Sequence, residues 1–169
     1  GLNDIFVSKL DANGNFVWAK SMGGSSSDYG RSIALDPSGF VYITGDFRKN
    51  VDFDPGHGIL YLTSKAFSRD VFILKLDSFG NFLWAKSFGG VDEDASSAIT
   101  LDHHFNVYLV GRFNGLVDFD PGKGVNELYC RGFYNGFIVK LDSLGSFKWA
   151  KTICSQDYAM IESIAIDNF

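Results

Sequence analysis

The sequence has little of several features that mark familiar classes of protein. It holds only two cysteines in 169 residues, Cys130 and Cys154, which are too few for a disulfide-built scaffold. No apolar run approaches the roughly 18 residues that a membrane-spanning helix needs. Lysine and arginine total 15 against 20 aspartates and glutamates, and no basic stripe stands out. A membrane span and a nucleic-acid partner are therefore not expected.

The two cysteines lie far apart and show no spacing typical of a metal site. We expect two free, buried thiols. A disulfide is the alternative, because both cysteines lie near the predicted ends of strands within one repeat. The chain also begins at Gly1 with neither a methionine nor a signal peptide, so we interpret it as a segment of a longer protein.

Catalytic motifs are scarce as well. The three histidines, His57, His103 and His104, lie in predicted loops and form no H-E-x-x-H or nucleophile motif. The glycine-rich stretch GGSSSDYG at 23–30 leads into a predicted strand rather than a helix, so we do not interpret it as a phosphate-binding loop. We therefore predict no catalytic residue, no enzyme activity and no cofactor.

Aromatic side chains and glycine are abundant, and they recur in a regular pattern. Hydrophobic residues make up 46% of the chain and aromatic residues 16%, a composition that favours β-strands joined by tight turns. The tripeptide WAK, at Trp18, Trp84 and Trp149, recurs at intervals of 66 and 65 residues, and KLD does the same. The hexapeptide VDFDPG occurs at 51–56 and again at 117–122. Three markers with one period indicate a repeat protein.

One repeat predicts four strands joined by short links. The turns DPSG at 36–39 and DSFGN at 77–81 are typical of hairpins, so each unit is an antiparallel four-stranded meander. The third strand is apolar on both faces, which predicts that neighbouring sheets cover it from both sides. The first strand carries small residues and the fourth carries the tryptophan. This order predicts wedge-shaped blades around an axis, as in an all-β β-propeller.

The repeat divides the single domain 1–169 into about two and a half blades of a larger propeller. The predicted parts are the third and fourth strands of one blade (1–31), two full blades (32–96 and 97–162) and the first strand of the next (163–169). Apolar faces at both ends lead us to expect further blades as partners, from the same chain or from neighbouring copies. The residues expected to pack between or within blades are Trp18, Trp84, Trp149, Phe53 and Phe119.

These motifs resemble a known family. SIALDPSGFVYITG (32–45) followed by DVFILKLDSFGNFLWAKSFGG (70–90) is similar to the bacterial seven-bladed β-propeller repeat family, in its variant with VDFDPG after the second strand. The resemblance covers essentially the whole chain. It implies a seven-bladed architecture and a secreted or cell-surface location, and it brings no catalytic residues. DHHFN at 102–106 lacks the usual turn glycine and CSQD at 154–157 replaces GG, so both depart from the pattern.

The hexapeptide has two interpretations. Both copies alternate aspartate with an apolar residue, so the two carboxylates of a copy face one way. In the structural interpretation the phenylalanines fill the blade and the aspartates cap turns. The alternative is a Ca²⁺ site, because Ca²⁺ takes oxygen ligands, although the pattern lacks the alternating oxygens of an EF-hand loop. The metal content is left open. The aspartates concerned are Asp52, Asp54, Asp118 and Asp120.

The hexapeptides share one end of the propeller with the links between blades. The connection from second to third strand and the link to the next blade emerge at the same end, which we call the link face. We expect an exposed acidic surface there, suited to a cationic partner. The candidate binding residues on it, besides the hexapeptide aspartates, are Asp28, Tyr29 and Asp94.

These observations together predict a non-catalytic interaction or structural module of a secreted or cell-surface bacterial propeller protein. Adhesion, surface assembly and filament building would all suit such a module. One alternative is a lectin-like propeller that binds carbohydrate through loop aromatics such as Tyr29 and Tyr158. Another is a scaffold for an enzyme whose active site lies in blades outside this chain. The partner is thus a protein or a glycan.

Overall fold

The computed structural model describes residues 2–167, which form an all-β structure of fourteen strands. Long strands form where β-branched and aromatic residues cluster, and tight turns separate them. The strands are β1 (Ile5–Leu10), β2 (Phe16–Gly24), β3 (Tyr29–Leu35), β4 (Val41–Arg48), β5 (Asn50–Asp52), β6 (Tyr61–Thr63), β7 (Arg69–Leu76), β8 (Phe82–Gly90), β9 (Ala95–Leu101), β10 (Val107–Phe113), β11 (Leu116–Asp118), β12 (Glu127–Tyr129), β13 (Asn135–Leu141) and β14 (Phe147–Ile153). One turn of 3-10 helix, Lys65–Phe67, precedes β7. Within residues 2–167, no helix has the length and apolar character that crossing a membrane requires.

The predicted four-stranded meanders are confirmed. Strands β3, β4, β7 and β8 form one antiparallel blade, and β9, β10, β13 and β14 form the next. Strands β1 and β2 are the third and fourth strands of the preceding blade. The first strands begin earlier than the predicted boundaries, at Tyr29 and Ala95, because the link residues already pair with the second strand, Tyr29 opposite Asp46.

The strand predicted at 163–169 is wrong over 163–167, which form no strand, and residues 168 and 169 lie outside the described residues. A strand needs a neighbour for its backbone hydrogen bonds, and no described segment supplies one here. Instead, Ile164 and Ile166 line a groove with Tyr108 and Trp149 beside the last blade. The described chain therefore contains two full blades and one half blade.

The hydrophobic core lies between neighbouring sheets, as the two apolar faces of the third strand predict. Phe72 and Leu74 in β7 pack with residues of β1 and β2, while Val71 and Ile73 pack with residues of the following blade. All four side chains are fully buried. Burial of each such side chain stabilises the fold by about 1.5–3 kcal/mol, so the sheets depend on one another for stability.

The first strands of the two full blades lie next to each other. Ser32 Oγ in β3 accepts a hydrogen bond from the backbone N–H of Ile99 in β9 at 3.3 Å. Close by, Ser96 Oγ accepts a hydrogen bond from Thr44 Oγ1 at 2.9 Å. Within the first full blade, β3 and β4 also approach closely, since a Cβ at Gly45 would overlap the carbonyl oxygen of Tyr29. The small-sided first strands therefore lie innermost, as predicted.

The tryptophan-bearing strands form the opposite edge of each blade, and their tryptophans contact a turn of the following blade. Trp18 donates a hydrogen bond from Nε1 to the carbonyl oxygen of Ser78 at 3.2 Å. Lys9 donates to the same oxygen from Nζ at 2.9 Å. Gly80 in that turn has a φ of +79°, and a Cβ at this position would lie 3.1 Å from the Trp18 ring.

The same contact recurs one blade later. Lys75 donates from Nζ to the carbonyl oxygen of Ser143 at 3.2 Å, and the Trp84 ring lies against Gly145 of the same turn. Trp18 and Trp84 therefore lie between blades. Trp149 occupies the equivalent position in the last blade, where it is 36% exposed.

Candidate functional site

Each VDFDPG hexapeptide belongs to a hairpin that reaches across to the preceding blade. The first lies in the hairpin β5–β6, and β5 pairs with Gly23 and Gly24 at the end of β2. The second lies in β11–β12, and β11 pairs with Gly89 and Gly90 at the end of β8. We call these two elements the brace hairpins, because each adds a backbone ladder between neighbouring blades.

The glycine pairs at the ends of β2 and β8 permit this pairing. A Cβ at Gly24 would overlap the carbonyl oxygen of Asn50, and a Cβ at Gly90 would crowd that of Leu116. The repeated GG after the tryptophan strand is thus a docking edge for the brace hairpin. In the third repeat Cys154 stands at the position of Gly89, and no described hairpin pairs with β14.

The phenylalanine of each hexapeptide anchors its brace hairpin in the core. Phe53 is fully buried, with ring-centroid distances of 5.3 Å to Phe47 and 4.8 Å to Phe72. Phe119 repeats this arrangement one blade later, with ring-centroid distances from 5.3 to 5.5 Å to Phe88, Phe113 and Phe137. Each hairpin therefore carries an aromatic side chain into the space between two sheets.

The hexapeptide aspartates bind backbone N–H groups of their own loop. Asp52 Oδ1 accepts hydrogen bonds from the N–H groups of Asp54 (3.1 Å) and Leu60 (2.9 Å). Asp54 Oδ1 accepts one from Gly56 at 2.8 Å. The second copy makes the same three bonds through Asp118 and Asp120. The structure thus shows the turn-capping arrangement of the structural interpretation in both copies.

The repeated motif extends two residues beyond the hexapeptide, to VDFDPGxG. A Cβ at Gly58 would overlap the carboxylate of Asp54, and a Cβ at Gly124 would overlap that of Asp120. Both glycines could have been found from the sequence, because they recur with the same period. Among residues 2–167, no three His, Cys, Asp or Glu side chains come together as a metal site would require. Ca²⁺ binding stays a prediction.

The exposed placement predicted for Asp28 and Asp94 is wrong, since they are 1% and 0% exposed. Asp94 accepts hydrogen bonds from the N–H groups of Gly90 at 2.6 Å and Asn114 at 3.1 Å. Asp28 makes the equivalent pair of bonds one blade earlier. These carboxylates satisfy backbone donors where the brace hairpin leaves one blade and meets the other, so they stabilise the crossing and present no charge to solvent.

Burial also changes the acidity of two carboxyl groups in this region, those of Asp94 and of Asp70 at the start of β7. Removal from water raises the pKa of Asp94 to about 8, although two backbone hydrogen bonds oppose the shift. The same cause raises the pKa of Asp70 to about 6, against a hydrogen bond from the backbone N–H of Lys65.

We expect the free energy of unfolding to fall as the pH rises from about 4 to about 8. Over this range folded Asp94 and Asp70 hold protons that the unfolded chain, with aspartate pKa values near 3.8, has already released. A rise in pH therefore favours the unfolded state until both groups have titrated. Urea denaturation across this range measures the slope.

Two variants test the assignment of this slope. Asp94→Asn should flatten the curve between about pH 6 and 8, whereas Asp92→Asn, at an exposed position in the same link, should keep most of it. Below pH 4 the free energy of unfolding changes with pH in the opposite direction because of Asp102. Burial raises the pKa of Asp102, but hydrogen bonds from Asn106 outweigh it and lower the pKa to about 2, so stability is lost as the pH falls towards 2. An unchanged slope in Asp94→Asn would contradict the assignment.

A polar cluster on the link face was not found from the sequence. Asp46 is fully buried, and it lies 2.7 Å from Arg31 Nε and 3.1 Å from Arg69 Nε. Glu93 pairs with Arg69 at 3.5 Å and also with Arg48. We call these five residues the arginine cluster. Burial raises the pKa of Asp46 while the neighbouring arginines lower it, and its charge depends on them as partners.

Tyr29 forms one side of the arginine cluster. The guanidinium carbons of Arg31 and Arg69 lie 4.8 and 5.3 Å from the centre of its ring. Its hydroxyl accepts a hydrogen bond from Asn3 Nδ2 at 3.2 Å. The half-buried ring is therefore occupied by arginine contacts, unlike the free aromatic surface that the sequence predicted.

The signal that reveals the arginine cluster is a departure from the repeat. The next blade holds different chemistry at the positions of Asp46, Arg31 and Arg69, namely Arg112, Ser97 and Tyr134. Arg112 lies over the Tyr134 ring, 4.8 Å from its centre, and Nη1 donates to the Tyr158 hydroxyl at 3.4 Å. At these three positions, therefore, the link face differs in chemistry from one blade to the next.

The three histidines do not converge. His103 and His104 contact each other in the β9–β10 turn, with ring centroids 3.8 Å apart. His57 is exposed in the first brace hairpin, at the link face. The β9–β10 turn lies at the opposite end of the blades, so these side chains belong to separate surfaces.

Cys130 and Cys154 form a disulfide, so the expectation of two free thiols is wrong and the alternative is confirmed. The Cα atoms are 5.5 Å apart because the end of β12 and the end of β14 lie side by side. The bond ties the exit of the second brace hairpin to the last strand. It lies in the repeat that lacks the GG pair.

The strand order and motifs agree with a known family. Residues 17–46, from β2 into β4, match the family model of a β-propeller repeat. The chain contains β-propeller repeats. Two curated proteins are similar to this propeller chain. One is the uncharacterized WD repeat-containing protein L264 of Acanthamoeba polyphaga mimivirus, 23% identical over 94% of the chain. The other is the regulatory protein FlaEY of Caulobacter vibrioides, 26% identical over 73%.

The propeller chain spans only a small part of these relatives. Each match covers 13% of the relative's length, so the chain corresponds to about an eighth of either protein. One relative is viral and the other bacterial, and the bacterial source stays a prediction. The comparisons agree with the β-propeller architecture that the repeat period predicts.

Proposed function

We propose that this propeller chain is a non-catalytic protein-interaction module whose binding surface is the link face. The observation that carries the proposal is the arginine cluster. Residues that recur in every blade form the core, the brace hairpins and the blade contacts, whereas Arg31, Asp46 and Arg69 have no counterpart of the same chemistry in the next blade. Variable polar residues on a rigid scaffold are typical of binding surfaces. The relatives' descriptions, a WD repeat-containing protein and a regulatory protein, support this role.

We propose a secreted or cell-surface location for the module, in an adhesion, surface assembly or filament protein. The disulfide supports this location, because such bonds form and persist in oxidising compartments. Cys154 is exposed, so in a reducing compartment the bond would be open to attack by cellular thiols.

We also propose that a further blade covers the outer face of the last one, from the same chain or a neighbouring copy. Trp149 and Lys140 stand at the positions whose counterparts, Trp84 and Lys75, contact a turn of the following blade. The Trp149 side chain, 36% exposed, has no such turn over it among the described residues. A turn there would complete the pattern that two earlier blades show.

The structure favours a protein partner over a glycan. The lectin alternative needs free aromatic faces, and the Tyr29 ring is taken by arginine contacts. Tyr158 is 53% exposed, but it packs edge-on against Tyr134 at 5.4 Å and bonds with Arg112. The enzyme-scaffold alternative concerns blades outside this chain and stays a prediction.

Affinity capture tests the proposal with two variants of equal charge change. Arg112→Glu alters the link face, and Lys151→Glu alters an exposed lysine on the outer strand β14. Wild type and both variants are immobilised and exposed to the medium and envelope fractions of the source cells, and the bound proteins are identified by mass spectrometry. We expect at least one protein that wild type and Lys151→Glu retain and Arg112→Glu loses.

Two results would count against this function. Identical sets of bound proteins for all three forms would remove the link face as the binding surface. A glycan-array signal that Arg112→Glu abolishes, with no such protein found, would favour the lectin alternative. Circular dichroism of each variant excludes unfolding as the cause of a loss.

A further inference from the structure

A cleft opens on the link face between the two full blades. Its volume is about 220 Å³, and its walls include Arg31 from β3, Ser97 from β9, Arg112 from β10 and Glu162 from the segment after β14. Pockets for drug-sized ligands run from about 300 to 1,000 Å³, so this cleft has room for one side chain rather than a large ligand.

Arg112 has hydrogen-bonding capacity that its surroundings leave unused. Within residues 2–167 no carboxylate lies within salt-bridge distance of its guanidinium, although the other arginines of this surface all have one. Its Nε atom is buried and has no hydrogen-bond partner in the described chain. A buried N–H without a partner destabilises the folded state, so an acceptor that reaches this atom would be favoured.

The local charge also suits an anion. The chain as a whole carries a net charge of −5, but the cleft and the adjoining cluster have four cations against three anions. These groups are Arg31, Arg48, Arg69 and Arg112, and Asp46, Glu93 and Glu162. Asp46 and Glu93 are each shared between two arginines, and Arg112 also acts electrostatically on Asp46, so the four guanidinium groups together carry one more charge than the carboxylates around them.

We propose that this cleft binds a carboxylate side chain of a partner protein, held by Arg112 with the Ser97 hydroxyl beside it. Arginine offers a planar pair of donors that matches a carboxylate, and one blade earlier Asp46 supplies such a group to Arg31 and Arg69 from within the chain. The partner protein would supply to Arg112 the carboxylate that Asp46 supplies to Arg31 and Arg69. This inference rests on the proposed function, because it names the chemistry that the link face recognises.

Nuclear magnetic resonance of the whole chain tests the site directly through the Nε–H signal of Arg112. The probes are acetyl-Gly-Glu-Gly-amide, the matched acetyl-Gly-Gln-Gly-amide, free glutarate and inorganic phosphate. We expect the signal to shift saturably with the glutamate peptide and not with the glutamine peptide. The variants are followed through the backbone N–H signal of Ser97, which lines the same cleft and is present in all of them. The dissociation constant should rise about tenfold or more in Arg112→Gln and stay within about twofold in Lys151→Gln, which removes the same charge elsewhere. Glu162→Gln should tighten binding about threefold, because it removes a like charge from the cleft.

Several outcomes would overturn the inference. They are a shift that the glutamine peptide matches, unchanged affinity in Arg112→Gln, and tighter binding of phosphate than of the glutamate peptide. Glutarate binding more tightly than the peptide would overturn the protein source of the carboxylate. Failure here is distinguishable from failure of the proposed function: a protein whose capture depends on Arg112, found without any glutamate-peptide binding, sinks the carboxylate assignment alone.

Discussion

Replacing Phe119 by alanine is expected to lower the free energy of unfolding by about 3–5 kcal/mol. The side chain is fully buried between two sheets and anchors the second brace hairpin against Phe88, Phe113 and Phe137. Truncation removes the transfer free energy of the ring and leaves a cavity that rigid sheets cannot close. Urea denaturation followed by tryptophan fluorescence measures the loss.

The control for this substitution is Phe79→Ala. Phe79 lies in the β7–β8 turn and is 76% exposed, so the same truncation should change stability by no more than about 0.5 kcal/mol. Similar losses for both variants would mean that the brace hairpin contributes no more than a surface turn.

Removal of the disulfide, in the double variant Cys130→Ala with Cys154→Ala, should cost about 3 kcal/mol. The bond closes a loop across a sequence separation of 24 and thereby restricts the unfolded chain. It also ties the second brace hairpin to β14, where the glycine pair of the other blades is missing. Thermal and urea unfolding of the oxidised wild type and the double variant give the difference.

A reductant supplies the matched control for the disulfide. Dithiothreitol should lower the stability of the wild type towards that of the double variant and leave the variant unchanged. Equal stability of oxidised and reduced wild type would show that the link contributes nothing to the folded state.

The blades could be predicted because their signals are local and periodic. Turns such as the one at 77–80 fix antiparallel neighbours, and the alternation of Val71 and Ile73 with Phe72 and Leu74 fixes a strand covered on both faces. Each of these features depends on residues within one hairpin. Because the motifs recur at intervals of 66 and 65 residues, the strand assignment made for one repeat applies to the next.

The brace hairpins and the site could not be predicted, because they depend on which distant segments meet. Nothing in the sequence of the hexapeptide indicates that Val51 pairs with Gly24 in the strand ladder between β5 and β2. Asp94, in a run of acidic residues, is indistinguishable by sequence from a solvated neighbour, and only the crossing chain shows that it is buried. To find the arginine cluster one needs both a comparison of repeats and the knowledge that the start of β3, the end of β4 and the start of β7 lie side by side.

Each brace hairpin reaches back to the blade made before it, and this has a consequence for biosynthesis. When a ribosome releases β5–β6, the edge that receives it, at the end of β2, has already emerged. Every brace hairpin can therefore pair with the preceding blade as soon as it has been synthesised, before any later part of the chain exists. The nascent protein would gain order in one direction, from its amino end onward, with each new blade fastened on arrival.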